Sequence, residues 1–298
     1  MFDWTFIKRL VIVLACFVLV QIFYLGYQQQ PVWDPPVILP AYTFLLLSAA
    51  LAATKRNRLR DLFVRNEALI LLITASLLGY SFYREYVSLG GTSEPTVFRS
   101  WCDQFAYYKM LDLLKAGQFK SEVYFYGLGY PILGYAVSWL YPRDPYYVVN
   151  LVSFLAVYFL IYKMLDRFTD NKLLAYLAAT LYALFPFPRT FIVEPWTSTV
   201  SLTCYSAAIV TCLKEKLGWL DWLLMGLLTG LIFAARYVDI VLLIPVWLCF
   251  FGRAFSTHNM KSIAAIAAGG CVTILIIFSV AYTHKMYLGG YFQTPYKH

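Results

Sequence analysis

The chain predicts an all-α polytopic membrane protein, with about nine transmembrane helices and interfacial helices in a large first external loop. Three observations carry this. Of 298 residues, 61% are hydrophobic and 13% are charged, where a soluble domain holds about 25% charged residues. The apolar residues arrive in long blocks rather than in short alternating runs. Aromatic residues reach 19%, and Trp and Tyr favour the two bilayer interfaces. In such a chain a net charge of +8 sets topology and meets anionic headgroups. It does not point to nucleic acid.

A spanning helix needs roughly 20 apolar residues. The apolar blocks place spans at 10–26, 36–53, 68–83, 146–165, 173–187, 196–213, 219–235, 239–251 and 263–282. The first block lacks a small-residue cleavage site and reads as a retained span. Residues 1–67 hold two amino-terminal spans and a basic linker; residues 68–298 hold the larger membrane domain, with 84–145 as its external loop.

Orientation follows from basic residues, which stay in the cytoplasm. Lys55-Arg56-Asn57-Arg58-Leu59-Arg60 is the densest basic run, so it lies inside, together with Lys8 and Arg9. The stretch 28–35 has no Lys or Arg and lies outside, as does 84–145. Residues 127–141 read either as a tenth span or as a surface or re-entrant helix, and the distribution of basic residues and the short length favour the second. With that segment not crossing, Lys163, Arg167, Lys172, Lys214, Lys216, Arg253 and Lys261 fall inside. Asp103, Glu194, Arg236, Asp239, His284 and Tyr291 then share the non-cytoplasmic face.

The six cysteines (Cys16, Cys102, Cys204, Cys212, Cys249, Cys271) form no CxxC pair. Neither a disulfide framework nor a zinc site is expected. A lone Cys in an apolar run acts as a small hydrophobe.

Four segments carry candidate chemistry. In 101–115, Trp101, Phe105, Tyr108, Leu111 and Leu114 recur at helical spacing. That makes an interfacial amphipathic helix with Asp103 near its start. Asp103 there is either a helix N-terminal acid that complements the macrodipole or a general base. Tyr126-Gly127-Leu128-Gly129-Tyr130-Pro131 follows. Its glycines allow close backbone approach, and its proline suits a helix start; it is also readable as a plain turn. Glu194 precedes Pro195 at a helix start, as a capping acid or as a substrate-orienting group. Finally, Gly226 to Arg236 is a small-residue helix that packs closely on a neighbour and ends in a cation. Arg236 either pairs with Asp239 at i+3 or grips a phosphate, which a guanidinium fits. The C-terminal Gly289-Gly290-Tyr291 reads as an external turn.

Taken in order, these pieces resemble the GT-C superfamily of integral-membrane glycosyltransferases. The carriers are Asp103 in the first large external loop, with Gln104 where many members have a second acid; Gly129-Tyr130-Pro131-Ile132-Leu133; Glu194; and the helix from Gly226 to Arg236. The resemblance covers roughly residue 68 to the end. Two spans precede the helix that would be the family's usual first, and members continue for several further helices. Against that layout the expectation is a truncated, split or amino-terminal-half member.

The resemblance implies transfer of a sugar from a polyprenyl-phosphate-linked donor, with inversion, at the outer face of a bacterial or archaeal plasma membrane. Asp103 would be the catalytic base. Glu194, Arg236, Asp239, Tyr130 and Tyr291 would bind substrate. Partners would be the lipid-linked donor, membrane lipids and an unidentified acceptor. Asp103 beside Gln104 is a poor metal set, so no metal or other cofactor is expected. Two other readings remain: a non-catalytic membrane scaffold or split subunit, and a lipid or small-molecule transporter. The transporter would need mid-span charge and matched halves, and the acids and bases here gather at span ends.

Overall fold

The computed structural model describes residues 57–92, 99, 102–118, 127–169, 171–184, 192–257 and 260–288. The spans expected at 10–26 and 36–53, and Tyr291, lie outside these residues. The described chain is helical, with no strand among the described residues. Among the described residues ten α-helices follow in order: α1 (Asn57–Arg65), α2 (Glu67–Ser88), α3 (Cys102–Lys115), α4 (Gly129–Ala136), α5 (Pro145–Thr169), α6 (Lys172–Leu184), α7 (Thr197–Cys212), α8 (Trp219–Ala235), α9 (Ile244–Thr257) and α10 (Met260–Leu288). A 3-10 helix, Tyr237–Leu243, joins α8 to α9.

Two described helices are long and apolar enough to cross a membrane: Pro145–Thr169 and Ile263–Met286, with mean hydropathy 1.9 and 2.5. The sequence puts seven spans among these residues, and the difference has local causes. Helix α6 has 13 residues and reaches about 20 Å; α7 has 16 and reaches about 24 Å. The hydrocarbon core is about 30 Å thick. Helix α2 is long enough at 22 residues, but Arg84, Glu85 and its Ser and Tyr residues dilute its apolar run. The block expected at 239–251 is broken where the 3-10 turn hands over to α9. Helix α4, with 8 residues, is about 12 Å long and far short of a crossing.

Packing groups the chain into two units. One draws on Met1–Ser76 and Ile161–Pro186, the other on Leu77–Leu160 and Phe187–His298. In the first, α1 packs on α6, with the Phe63 and Tyr176 rings 4.9 Å apart. Thr74 and Tyr176 share a 2.9 Å hydrogen bond. Glu67 accepts hydrogen bonds from Tyr162 and Lys172. Burial raises the Glu67 carboxyl, and the hydrogen bonds and charges of Lys172, Tyr162 and Lys163 together bring it below the ordinary range.

The second unit is organised around α8, which packs against α10, α7 and α4. Small residues set the α8–α10 crossing. A Cβ on Gly226 would overlap the Gly269 carbonyl oxygen, and one on Gly269 would overlap that of Trp222. Thr273 donates to Gly226 O at 3.0 Å across the contact. Backbones this close need glycine at the crossing. Asp221 accepts from Gly218 N at 2.8 Å and so satisfies one free amide of the first turn of α8. At its other end α8 stops at Arg236, whose backbone is extended (φ −158°, ψ 95°).

Candidate functional site

The site is assembled from the ends of helices in the second unit. Its floor is the Gly127-Leu128-Gly129 turn. A Cβ on Gly127 would overlap the Ala234 carbonyl oxygen, and one on Gly129 would come within 2.8 Å of the Ala234 carbonyl carbon. The turn therefore lies on the backbone of α8 immediately before Arg236. This is the close approach for which glycine is suited. Helix α4 starts at once, and Pro131 falls in its first turn, where amide protons have no helical partner.

Helix α3 supplies the acid. Asp103 sits in its first turn, partly exposed. Its neighbour Gln104 is 2% exposed. The buried face of α3 runs through Gln104, Tyr107, Tyr108 and Leu111. Phe105, expected on the apolar face, is exposed.

One turn after Asp103, Tyr107 carries the link between distant parts of the chain. Its hydroxyl hydrogen-bonds with Thr197 at the start of α7, and it lies within the fields of both Asp103 and Arg236. Burial pushes the phenol up to about 12; the Thr197 hydrogen bond lowers it, the Asp103 charge raises it, and the Arg236 charge lowers it. A carboxylate from α3 and a guanidinium from the end of α8 thus act on a single phenol. Arg236 lies 3.5 Å from Asp239 across a partly exposed i,i+3 pair. Such a pair is worth about 0–1 kcal/mol, so the guanidinium remains available to a stronger anion.

Aromatic residues and one buried amide hold this corner. The Tyr107 and Tyr130 rings meet edge to face at 5.4 Å, and Tyr130 stacks on Tyr146 at 4.5 Å. The Tyr146 hydroxyl donates to Tyr107 O at 2.8 Å. Tyr130 donates to Asn150 Oδ1 at 2.9 Å, and Asn150 Nδ2 donates to the carbonyls of Val193 and Glu194 at 3.2 and 3.0 Å. Glu194 is half-buried and accepts from Trp196 Nε1 at 2.9 Å. Burial raises its carboxyl, and the Trp196 hydrogen bond partly offsets that.

A second carboxylate lies behind the aromatic wall. Asp144 is 1% exposed. Tyr108 donates to its Oδ1 and Tyr86 to its Oδ2, both at 2.8 Å. Burial raises the carboxyl; the hydrogen bonds from Tyr108, Tyr86 and the Tyr147 and Tyr146 amides pull in the other direction without cancelling it. The Tyr86 hydroxyl also lies 2.5 Å from Gly91 O. One hydroxyl proton cannot fill both acceptors fully. The Arg99 guanidinium covers the Tyr108 ring at 4.6 Å and pairs with Asp112 at 2.8 Å.

Of the residues singled out from the sequence, Asp103, Tyr130, Glu194, Arg236 and Asp239 therefore all belong to the second unit. The charges of Asp103 and Arg236 act in opposite directions on the Tyr107 phenol. Tyr130 reaches the Glu194 turn through Asn150. Tyr130 itself is 0% exposed, so it packs the corner rather than presenting a free hydroxyl. Sequence reasoning passed over Tyr107, Asp144 and Asn150. Asn150 had a legible signal, a lone amide in an apolar block, because such groups need partners when buried. Among the described residues no cluster of three His, Cys, Asp or Glu side chains is placed to hold a metal ion. Comparison with family models, curated proteins and solved structures finds no match for this chain.

Proposed function

We propose that this protein is a multi-pass membrane glycosyltransferase that moves a sugar from a polyprenyl-phosphate donor to an acceptor at the non-cytoplasmic face. The observation that carries the reading is Tyr107, which lies in the fields of both Asp103 and Arg236. Transfer from a phosphate-linked donor needs a base for the incoming hydroxyl and a cation for the departing phosphate. The corner offers one of each. The two long apolar helices support a membrane setting.

In the proposed step, the Asp103 carboxylate takes the proton from the acceptor hydroxyl. The hydroxyl oxygen bonds to the anomeric carbon as that carbon's bond to the phosphate oxygen breaks. The electron pair leaves with the polyprenyl phosphate, whose negative charge Arg236 stabilises. Asp239 keeps the guanidinium oriented between turnovers. Glu194 orients the sugar from the turn held by Asn150. A bilayer presents the donor at constant depth, so a base and a cation at helix ends suffice to find it.

The test uses the full chain in lipid nanodiscs, radiolabelled polyprenyl-phosphate hexoses and a membrane extract as acceptor source. Label should leave the donor lipid with the wild-type protein. Asp103→Asn should slow this by roughly 100- to 10,000-fold, and Arg236→Gln by roughly 100- to 1,000-fold. Wild-type rates in Asp103→Asn, or no transfer by the wild-type protein, would remove the assignment.

A further inference from the structure

No CxxC spacing announces a thiol pair in this chain, yet the fold brings two thiols together in the second unit. Cys212 is the last residue of α7, and Cys249 lies in α9. The two helices pack against one another, and the Cys212 and Cys249 side chains are hydrogen-bonded, thiol to thiol. Cys212 is 8% exposed, whereas Cys249 is open at the surface. Both are free thiols.

Further contacts fix this meeting. Val246, Cys249, Phe250 and Arg253 follow at i, i+3, i+4 and i+7 and share one side of α9. Val246 and Phe250 are buried, and Phe250 meets Trp222 of α8 edge to face at 5.0 Å. One turn beyond Cys249, the Arg253 guanidinium donates to Cys212 O and, at 2.7 Å, to Glu215 O. Those carbonyls lie where the helical partners of α7 run out. Arg253 thus holds the residue that carries one thiol against the helix that carries the other. Its charge also reaches the Cys212 sulfur, where a cation favours a thiolate. Cys204, the other cysteine of α7, stands eight residues before Cys212, about 12 Å away along the axis, which is too far for a bridge to it.

We propose that Cys212 and Cys249 are a reversible modification site, a dithiol that low-molecular-weight disulfides oxidise to a bond between α7 and α9. The chemistry takes two exchanges. First the exposed Cys249 thiolate attacks one sulfur of the small disulfide; a bond to Cys249 forms, the small S–S bond breaks, and one small thiolate leaves. The Cys212 thiolate then attacks Cys249 Sγ; the Cys212–Cys249 bond forms, and the second small thiolate leaves. Each cysteine gives up one proton, each released thiolate takes one up, and the two electrons pass to the small disulfide. An excess of small thiol runs the sequence backwards. The loop closed by the bond contains α8 and the 3-10 helix after Arg236, so oxidation ties together the two ends of the segment that carries this cation. The site stands independently of the glycosyltransferase reading.

The test exposes the full chain in lipid nanodiscs to oxidised glutathione, or to diamide, a membrane-permeant azo compound that takes up the two hydrogens itself. Remaining thiols are then alkylated and the peptides mapped by mass spectrometry. The wild type should yield a peptide pair joining Cys212 to Cys249, lighter by two hydrogens, which dithiothreitol separates. Cys212→Ser removes the resolving thiol, so Cys249 should then hold at least about 10-fold more glutathione adduct than in the wild type, because an intramolecular thiol outcompetes a dissolved one. Cys249→Ser should leave the buried Cys212 as a thiol after the same exposure. A wild type in which both cysteines stay open to alkylation after diamide would overturn the pair. So would a Cys249 that keeps the same glutathione adduct with and without Cys212, or that bonds to another cysteine. The wild-type cross-link decides the matter even where a variant folds poorly, and none of these measurements requires sugar transfer.

Discussion

Tyr130 and Asn150 are joined by a 2.9 Å hydrogen bond that ties α4 to the turn bearing Glu194. Asn150 is 0% exposed, and three partners converge on its amide. Asn150→Ala leaves the Tyr130 hydroxyl and the Val193 and Glu194 carbonyls without that partner in a buried setting. The expected cost is about 2–4 kcal/mol, at about 1–3 kcal/mol per stranded group with partial relaxation. Thermal unfolding in detergent measures it. An unchanged melting temperature would show that the corner does not depend on this amide.

The Gly127 turn lies directly on the α8 backbone before Arg236. Gly127→Ala should therefore displace one or the other, at about 1–3 kcal/mol. Because the shift falls at the proposed phosphate cation, donor transfer should drop by roughly 100-fold, the order that a 1 Å misplacement brings. A variant that loses stability but keeps full transfer would separate the turn from the site.

Two adjacent glycines on α10 should respond with opposite signs. A Cβ on Gly269 overlaps the Trp222 carbonyl oxygen, whereas one on Gly270 meets nothing within 4 Å. Gly269→Ala is expected to destabilise by about 1–3 kcal/mol through forced separation of α8 and α10. Gly270→Ala is expected to stabilise by about 0.5–1 kcal/mol through helix propensity and a less flexible unfolded chain. Melting temperatures of the two variants decide it; equal shifts would mean that α10 is placed differently against α8.

Asp144 links stability to pH. Burial raises its carboxyl above the ordinary value of 3.8 despite four hydrogen bonds. In the window above that value the folded state holds a proton that the unfolded state has released. Stability therefore falls as pH rises through the folded-state value, and it is greatest below 3.8 as far as this group is concerned. Asp144→Asn keeps the size of the side chain and an acceptor oxygen but cannot titrate. The variant should flatten the decline of melting temperature with pH. A slope identical to wild type would mean that Asp144 is ionised in the fold throughout.

Part of the site was legible in local sequence. A helix beginning near Asp103 follows from the spacing of apolar residues after it, and Asp103 lies in the first turn of α3. The glycines of 127–129 and 226–230 announce close backbone contacts, and each faces a neighbouring helix or turn. The helical periodicity of 101–115 suggested Phe105 for the buried face; it is exposed, while Gln104 is buried. Hydrophobic pattern sets the period of a helix, but which of two adjacent stripes turns inward depends on its neighbours.

Span count was the least legible property. The block 239–251 reads as one apolar run, yet it holds a 3-10 turn to Leu243 and the start of a separate α-helix at Ile244. The block 219–235 coincides with α8, so its stop before Arg236 was legible, whereas the 3-10 turn at Tyr237–Leu243 was not.

The helical class, the oily composition and the residues able to ionise follow from the amino-acid order alone, because periodicity and polarity are local properties. That the charges of Asp103 and Arg236 both act on one phenol, and that Asn150 joins Tyr130 to the Glu194 turn, were decided only in three dimensions. These pairs are separated by tens of residues or more. Their meeting depends on how helices pack, and packing of non-adjacent segments leaves no periodic trace in a single chain.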